Sequence, residues 1–275
     1  MADADARGLL AQLELEEKVA LLAGADMWHT AAIPRLAIPA LRMSDGPNGV
    51  RGTRFTTGPP SALVPCGAAL GASWDPQVVR EVGGVLADEA RAKGVELLLG
   101  PTINLHRTPI GGRNFEAFAE DPHLTARLAV AYVEGAQSRG VACCAKHLVA
   151  NDTEWERMTV DVHVDERTLR EALLAPFEAT VREAGVRSVM ASYNRLGGPY
   201  ASEHPWLLTT VLRDDWGFDG AVISDWFATH STAAALRAGL DLEMPGPPRH
   251  RGELLLEAVR AGDVTTEDVD RAAER

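Results

Sequence analysis

The feature that most constrains the fold of this chain is a regular alternation of short apolar runs with amphipathic helical patterns. The runs are too short for buried helices and are typical of strands, whereas the longer patterns repeat their apolar residues at helical spacing. Only a few residues separate consecutive elements, and the runs are apolar on both faces, as in parallel strands joined by crossover helices. The predicted strands span 40–44, 95–100, 141–147, 188–193, 220–225 and 240–244, and the predicted helices span 75–93, 122–139, 165–184, 206–216, 229–238 and 252–261.

These elements predict an α/β fold, a (β/α)8-like TIM barrel with an imperfect strand count. No Gly-x-Gly-x-x-Gly follows the first strand and no phosphate loop is present, which disfavours a doubly wound nucleotide-binding sheet. The length of 275 residues is within the range of a single α/β barrel. We therefore expect one barrel domain over residues 1–275.

Composition excludes several classes of partner. The chain has 27 Lys+Arg against 39 Asp+Glu, a net charge of −12, which argues against nucleic-acid or anionic-membrane binding. No apolar stretch approaches the ~20 residues of a transmembrane helix. The acidic N-terminus does not resemble a secretory signal, and three cysteines do not form a paired framework, so we expect a cytoplasmic protein. No His/Cys cluster has metal-ligand spacing, so neither a metal nor a cofactor is expected.

Polar residues follow the C-terminal ends of nearly all predicted strands. Taken singly, each has an ordinary alternative as a turn former, a helix cap or a solvated charge. In a β/α barrel, however, these ends meet at one rim, and that rim is where active sites are built. The residues expected there are Asp45, Arg51, Arg113, Lys146, His147, Tyr193, Asp225 and Trp226.

This mixture of acids, permanent cations, an imidazole and aromatics suits a polyhydroxylated ligand. Carboxylates accept hydroxyl protons, Arg and Lys donate to ring hydroxyls, and an indole stacks on a sugar face. Hydrolysis of a glycosidic bond further requires one carboxylate to attack the anomeric carbon and a second acid to protonate the leaving oxygen. Nearby Arg and Lys charges are expected to keep the pKa of the attacking carboxylate low.

Six motifs follow one another along the chain around these strand ends. They are Met43-Ser-Asp45-Gly-Pro-Asn-Gly-Val-Arg51, Gly100-Pro-Thr-Ile-Asn-Leu-His106-Arg, Gly112-Arg113-Asn-Phe-Glu116 with Glu120-Asp-Pro122, Lys146-His147-Leu-Val-Ala-Asn151-Asp-Thr-Glu154, Met190-Ala-Ser-Tyr193-Asn and Gly217-Phe-Asp-Gly220-Ala-Val-Ile-Ser-Asp225-Trp226. By these motifs the chain resembles the N-terminal catalytic domain of family 3 glycoside hydrolases, the β-glucosidase and β-xylosidase group, over residues ~14 to ~245, a span within the range of one domain. The motifs occur in the family's order, which makes the match specific.

The resemblance implies a retaining, exo-acting β-glycosidase that acts on terminal β-D-glucosyl or xylosyl residues. Asp225 would be the nucleophile that forms the covalent glycosyl-enzyme, and Asp45 would bind the outer hydroxyls of the sugar at the −1 subsite. Glu154 would be a partner of the surrounding Arg and Lys side chains. The other implied contacts are Arg51 and Arg113 beside Asp45, Lys146 and His147 at the middle hydroxyls, Met190 and Tyr193 flanking the nucleophile, and Trp226 as a wall.

The sequence departs from the family at the acid/base. In relatives with the Asp-Gly-Pro and Ser-Asp-Trp motifs, a Glu of a second, α/β sandwich domain has this role. A single-domain branch uses a His after Lys-His-Phe-Pro-Gly-His, but here Leu-Val-Ala-Asn follows Lys146-His147. We therefore expect the first domain of a two-domain enzyme, a fragment or one half of a split protein, completed by a sandwich domain or a partner chain.

Two functions of other classes remain alternatives. One is a Schiff-base lyase or aldolase in which Lys146, at a strand end, is the nucleophilic amine. The other is a sugar-binding barrel without catalysis.

Overall fold

Five parallel strands form the central sheet of the structure, a computed structural model that describes residues 6–52, 54 and 58–275. In chain order, the strands are β1 (Met43–Asp45), β2 (Leu97–Leu99), β3 (Ala142–Leu148), β4 (Asp161–Val162), β5 (Ser188–Ala191), β6 (Arg195–Leu196) and β7 (Ala221–Ser224). The sheet order is β1-β2-β3-β5-β7, and each neighbouring pair is parallel. A separate parallel pair, β4 with β6, lies in the loops that follow β3 and β5.

Single bridges continue this sheet around into a barrel. Leu242 pairs in parallel with Ile223 of β7, and the next residue, Glu243, pairs in parallel with Ala23. The segment after Ala23 then runs antiparallel to the residues before β1, through a bridge between His29 and Arg42. The predicted strand over 240–244 is thus present only as these isolated bridges.

The interior of the barrel is a separate hydrophobic cluster to which successive strands each contribute. This cluster confirms the predicted barrel class, because side chains from all five strands of the central sheet meet only where a sheet closes on itself. Its members are Trp28, Met43, Leu97, Leu99, Cys144, Met190, Ile223, Leu242 and Met244.

Helices cover the outside of the barrel. The predicted helix over 165–184 is divided into an α-helix at Glu166–Thr168, a π-helical segment at Leu169–Leu173 and a second α-helix at Ala175–Arg182, because Pro176 has no N–H and lies in the first turn of the second α-helix. The predicted helix over 206–216 is π-helical at Trp206–Asp215, and the one over 229–238 begins only at Ala233. The α-helices are α1 (Ala6–Leu10), α2 (Leu15–Leu21), α3 (Gly67–Ser73), α4 (Pro76–Ala92), α5 (Pro122–Gln137), α6 (Glu166–Thr168), α7 (Ala175–Arg182), α8 (Ala233–Ala238), α9 (Glu253–Ala261) and α10 (Thr266–Glu274).

Two glycines let α4 and α5 pack closely against each other. A Cβ on Gly83 would lie 2.4 Å from the carbonyl oxygen of Tyr132, and one on Gly135 would lie 2.0 Å from that of Arg80. The buried Tyr132 hydroxyl donates to the carbonyl of Pro47 at 3.1 Å, which fixes α5 to the loop after β1. Among the described residues, no helix is both long and apolar enough to cross a membrane.

Candidate active site

The C-terminal ends of the strands surround a cavity of about 380 Å³, within the size range of small-molecule sites. All but one of the predicted site residues line it. The exception is Arg51, whose side chain is about half exposed and which lies beside the cavity, 3.8 Å from Asp45. The lining residues are Met27, Trp28, Asp45, Leu99, Arg113, Lys146, His147, Arg157, Met190, Tyr193, Asp225, Trp226 and Phe227.

Asp45 and Lys146 form an ion pair in the cavity lining, in which Lys146 is buried and Asp45 is partly exposed. Lys146 Nζ, at the C-terminal part of β3, donates to Asp45 Oδ1 at 2.7 Å. Burial alone would raise the pKa of Asp45, but the charge and hydrogen bond of Lys146, together with the charge of Arg51, bring it below its usual value. Asp45 is therefore an ionised acceptor, suited to two neighbouring hydroxyl groups.

His147 is a neutral, oriented imidazole. Its backbone N–H donates to Asn104 Oδ1 at 2.9 Å, and Asn104 Nδ2 donates back to its carbonyl oxygen at 2.9 Å. Burial lowers the pKa of His147 well below its usual value, and the charges of Arg113 and Lys146 lower it further. Its Nε2 lies 3.6 Å from Asp225 Oδ2, so the ring and this carboxylate face the same space.

Asp225 follows β7 directly and is 7% exposed. Its Oδ1 accepts the backbone N–H of Trp226 at 2.7 Å, whereas no described residue donates a well-oriented hydrogen bond to Oδ2. Burial raises the pKa of Asp225, and the charge of Lys146 and the hydroxyl of Tyr193 lower it only in part. The predicted low pKa of this carboxylate is therefore wrong, because the sequence shows the nearby cations but not the depth at which the barrel buries the group.

Two arginines enter the cavity from the loops after β2 and β3. Arg113 Nη2 pairs with Glu116 at 3.0 Å, and its Nη1 lies 3.8 Å from Glu154 Oε1. Glu154 Oε2 accepts from Arg157 Nη1 at 2.6 Å, so this carboxylate lies between the two guanidinium groups. The contact agrees with the expected pairing of Glu154 with cations. Arg157 itself was not predicted, although its spacing of three residues from Glu154 is the signal that could have found it.

The opposite side of the cavity is apolar. Trp226 donates its indole N–H to the carbonyl of Met27 at 3.1 Å, and its ring centroid lies 5.5 Å from that of Trp28. Met190, in β5, is buried in the cavity lining. The Tyr193 ring also lines the cavity, and the guanidinium of Arg157 lies 4.7 Å from its centroid. Met27 and Trp28 were missed because they lie in the segment that closes the barrel without any strand pattern.

This arrangement can bind one polyhydroxylated ring and attack it. A cation, a neutral imidazole and an ionised acceptor face a buried carboxylate that has a free oxygen, and aromatic side chains cover the other wall. Within residues 6–52, 54 and 58–275, no three His, Cys, Asp or Glu side chains are placed to hold a metal ion.

The chain matches a known protein family over nearly its whole length. The family model described as "Glycosyl hydrolase family 3 N terminal domain" matches residues 8–275. A β-glucosidase of Rhizobium radiobacter is 56% identical over 97% of this chain and 33% of its own length, and a probable β-glucosidase J of Aspergillus fumigatus is 53% identical over 94% and 30%. The crystal structure of the Kluyveromyces marxianus β-glucosidase in complex with glucose superposes with a TM-score of 0.96, at 44% identity, over 98% of this chain and 33% of that one. The chain thus spans about a third of the length of these relatives.

Proposed function

Since the chain belongs to glycosyl hydrolase family 3, as an N-terminal domain of that family, we propose that it is the barrel domain of a retaining, exo-acting β-glycosidase. Its substrates are terminal β-D-glucosyl or xylosyl residues, and glucosyl is favoured by the β-glucosidase names of the relatives and by the glucose bound to one of them. The observation that carries the proposal is that Asp225 lines the same cavity as the Asp45–Lys146 pair, and that its Oδ2 has no well-oriented hydrogen-bond donor among the described residues.

The proposed reaction has two steps. Asp45 accepts hydroxyl protons of the sugar, while Lys146 and His147 contact neighbouring hydroxyls and so hold the anomeric carbon against Asp225. In the first step a bond forms between Asp225 Oδ2 and the anomeric carbon, the glycosidic C–O bond breaks, and an acid protonates the leaving oxygen. In the second step a water, deprotonated by the same group, attacks the anomeric carbon and releases Asp225.

The acid/base comes from outside the described cavity lining. Among the lining residues that the structure describes, Asp45 and Asp225 are the only carboxylates, and Asp45 is paired with Lys146. Because the relatives are about three times as long, we propose that a further domain or a partner chain supplies it. The pairing of Lys146 with Asp45 also disfavours the lyase alternative, since a Schiff base requires a free, neutral amine.

A substrate that needs no acid tests the nucleophile directly. We expect 2,4-dinitrophenyl 2-deoxy-2-fluoro-β-D-glucopyranoside to label the chain once, at Asp225, as found by intact-mass and peptide analysis. Asp225→Asn should abolish the label, whereas Asp219→Asn, on the exposed residue before the other end of β7, should keep it. Labelling of another residue contradicts the proposed mechanism. Glucose binding without any labelling favours the non-catalytic sugar-binding barrel.

The leaving group tests the missing acid. General acid catalysis is worth about 10²–10⁴-fold, so the chain by itself should be nearly inactive on alkyl β-glucosides. Aryl glucosides with good leaving groups should still glycosylate Asp225. Equal relative rates on the two substrate types contradict an externally supplied acid.

A further inference from the structure

The mouth of the cavity has a cationic and aromatic surface that the proposed chemistry does not use. We call this surface the platform, and it consists of Arg195, Tyr200, Phe227, His230 and Arg249. Phe227 lines the cavity itself, two residues after Asp225. The other members lie in the loops that follow β5, β7 and the bridge at Glu243.

Phe227 has a backbone conformation that a bulky residue seldom adopts. Its φ is +68°, in the left-handed region, at the third position of a turn in which the N–H of Ala228 donates to the carbonyl of Asp225 at 2.9 Å. Glycine is the residue that this turn position favours. The phenyl ring is 45% exposed at the cavity mouth instead of being buried in a core. Strained backbone conformations cluster at functional sites, so the exposed Phe227 side chain at the cavity is a candidate for a binding role.

The arginines of the platform stack on rings instead of pairing with acids. The Arg249 guanidinium lies 5.6 Å from the Phe227 ring centroid, and that of Arg195 lies 4.3 Å from the Tyr200 centroid. Tyr200 in turn stacks on His230, with ring centroids 3.5 Å apart. No carboxylate of the described part of the chain lies within 4 Å of either guanidinium, although arginine ion pairs are common elsewhere in this acidic protein.

The charge of the platform is permanent. Burial lowers the pKa of His230; the carboxylate of Glu203 opposes this shift, and the charges of His250, Arg195 and Arg249 add to it. His230 is therefore neutral near pH 7, and the two arginines supply the positive charge. Two acids lie near this surface. The charge of Glu203 reaches His230, and the Glu243 carboxylate accepts the backbone N–H groups of Arg249 and His250, but neither acid forms an ion pair with Arg195 or Arg249 within 4 Å.

From these observations we propose that the platform binds the leaving group of the substrate, and that it selects aromatic aglycones that bear a carboxylate. This inference rests on the proposed function, since it is the sugar bound against Asp225 that brings its aglycone to Phe227. The aromatic ring of the aglycone packs on the Phe227 ring, and its carboxylate pairs with Arg249. Stacking and a charge-assisted contact at one place give a preference that neither group provides alone.

Thioglucosides test this preference on the full chain without turnover. We would measure, by titration calorimetry, the Kd values of glucose and of the methyl, phenyl and 4-carboxyphenyl 1-thio-β-D-glucopyranosides. We expect the 4-carboxyphenyl compound to bind about fivefold more tightly than the phenyl compound, as for a partly exposed ion pair. The ratio should fall as salt is added.

Matched variants assign the effect to single residues. Arg249→Gln should remove the carboxylate preference and leave glucose binding unchanged, whereas Arg187→Gln, an exposed arginine before β5 at the other end of the barrel, should keep it. Phe227→Leu and Phe227→Gly should weaken binding of both aryl compounds but not of the methyl compound. Having two variants keeps the test decisive if one of them fails to fold.

The outcomes separate the two proposals. Loss of glucose binding by the wild-type chain would overturn the proposed function, whatever the aryl compounds do. Normal glucose binding with no carboxylate preference, or with a preference that survives Arg249→Gln, would overturn the platform alone. Tighter binding of the phenyl compound than of the 4-carboxyphenyl compound would also overturn the platform alone. That result is expected if acidic side chains neutralise the charge of Arg249.

Discussion

Asp225 and Asp241 are buried near opposite ends of β7, and they differ in how many hydrogen bonds their carboxylate oxygens accept. Asp241 lies near the N-terminal end and is satisfied on both oxygens. Its Oδ2 accepts from Arg213 Nη2 and from the backbone N–H of Val222, each at 2.7 Å, and its Oδ1 accepts from Arg275 Nη1 at 3.0 Å. This carboxylate joins three separate parts of the chain.

Asp225, at the C-terminal end, also has a raised pKa but lies in a different environment. Burial is the main cause of the raised pKa of both carboxyls. Asp225, however, accepts one well-oriented hydrogen bond, from the backbone N–H of Trp226, and the Tyr193 hydroxyl lies close enough to lower its pKa; its buried Oδ2 has no well-oriented donor among the described residues. A fully bonded buried carboxylate stabilises the fold, whereas an incompletely bonded one is available for chemistry. The comparison therefore predicts that loss of Asp241 affects stability and loss of Asp225 affects reactivity.

The largest expected effect is on turnover. Asp225→Asn should lower kcat for an aryl β-glucoside with a good leaving group by roughly 10⁴-fold or more, as for removal of other nucleophiles. The melting temperature at pH 7 should not fall, because no cation depends on Asp225 as its hydrogen-bonded partner. Activity and circular dichroism melting of the same preparations measure both quantities. If Asp225→Asn loses activity only because it unfolds, then Asp225, like Asp241, affects stability, and the prediction is wrong.

The second effect is on stability. Asp241→Asn leaves Arg213, whose side chain is 9% exposed, without its counter-ion, and breaking a buried pair in this way costs about 3–5 kcal/mol. Urea denaturation should show this loss, while kcat of the folded fraction stays within about twofold. Arg275→Ala is the matched control and should cost less, because its side chain is 26% exposed. An Asp241 variant of unchanged stability would show that the three-part junction is not needed.

The third effect is on glucose binding, and it tests the Asp45–Lys146 pair instead of Asp225 or Asp241. Lys146→Met removes the charge that lowers the pKa of Asp45 and leaves the burial that raises it. Glucose binding at pH 7 should weaken about 10–100-fold, the range of a lost charged hydrogen bond. In the wild type, ionised Asp45 persists to pH values below 3.8, so binding persists as well; in the variant, binding should fail at a higher pH. Calorimetric titration with glucose between pH 4 and 7 measures this. If the variant and the wild type lose glucose binding at the same pH, Lys146 does not keep Asp45 ionised.

The parts of this molecule that the sequence predicts best are those set by strand pattern. Because parallel strands end at one rim, Lys146, Asp225 and Tyr193 were expected to meet, and all three line the cavity. Their mutual placement follows from the parallel register of β3 with β5 and of β5 with β7, which the structure shows and the sequence did not predict.

What the sequence does not predict depends on closure of the barrel. The segment at 23–30 joins the sheet through single bridges, which have no periodic pattern, and it brings Met27 and Trp28 to the cavity. The same closure buries Asp225, and burial reverses the direction expected for its pKa. A sequence can indicate which charged residues lie near a carboxylate, but the burial that raises its pKa is set by the folded structure.

The smallest expected effect concerns the stability difference between Asp225→Asn and the wild type as pH changes. Because burial raises the pKa of Asp225 above 3.8, the folded chain retains this proton where the unfolded chain has released it. Ionisation of Asp225 therefore destabilises the wild type as pH rises through the raised value, and the Asn variant has no such loss. The advantage of the variant should be larger at pH 7 than at pH 4, since a pKa difference of one is worth about 1.4 kcal/mol. Urea denaturation at both pH values measures the difference in unfolding free energy between the variant and the wild type. A difference independent of pH would mean that the hydrogen bonds and nearby charges of Asp225 offset the effect of its burial, as the arginines do in part for Asp241.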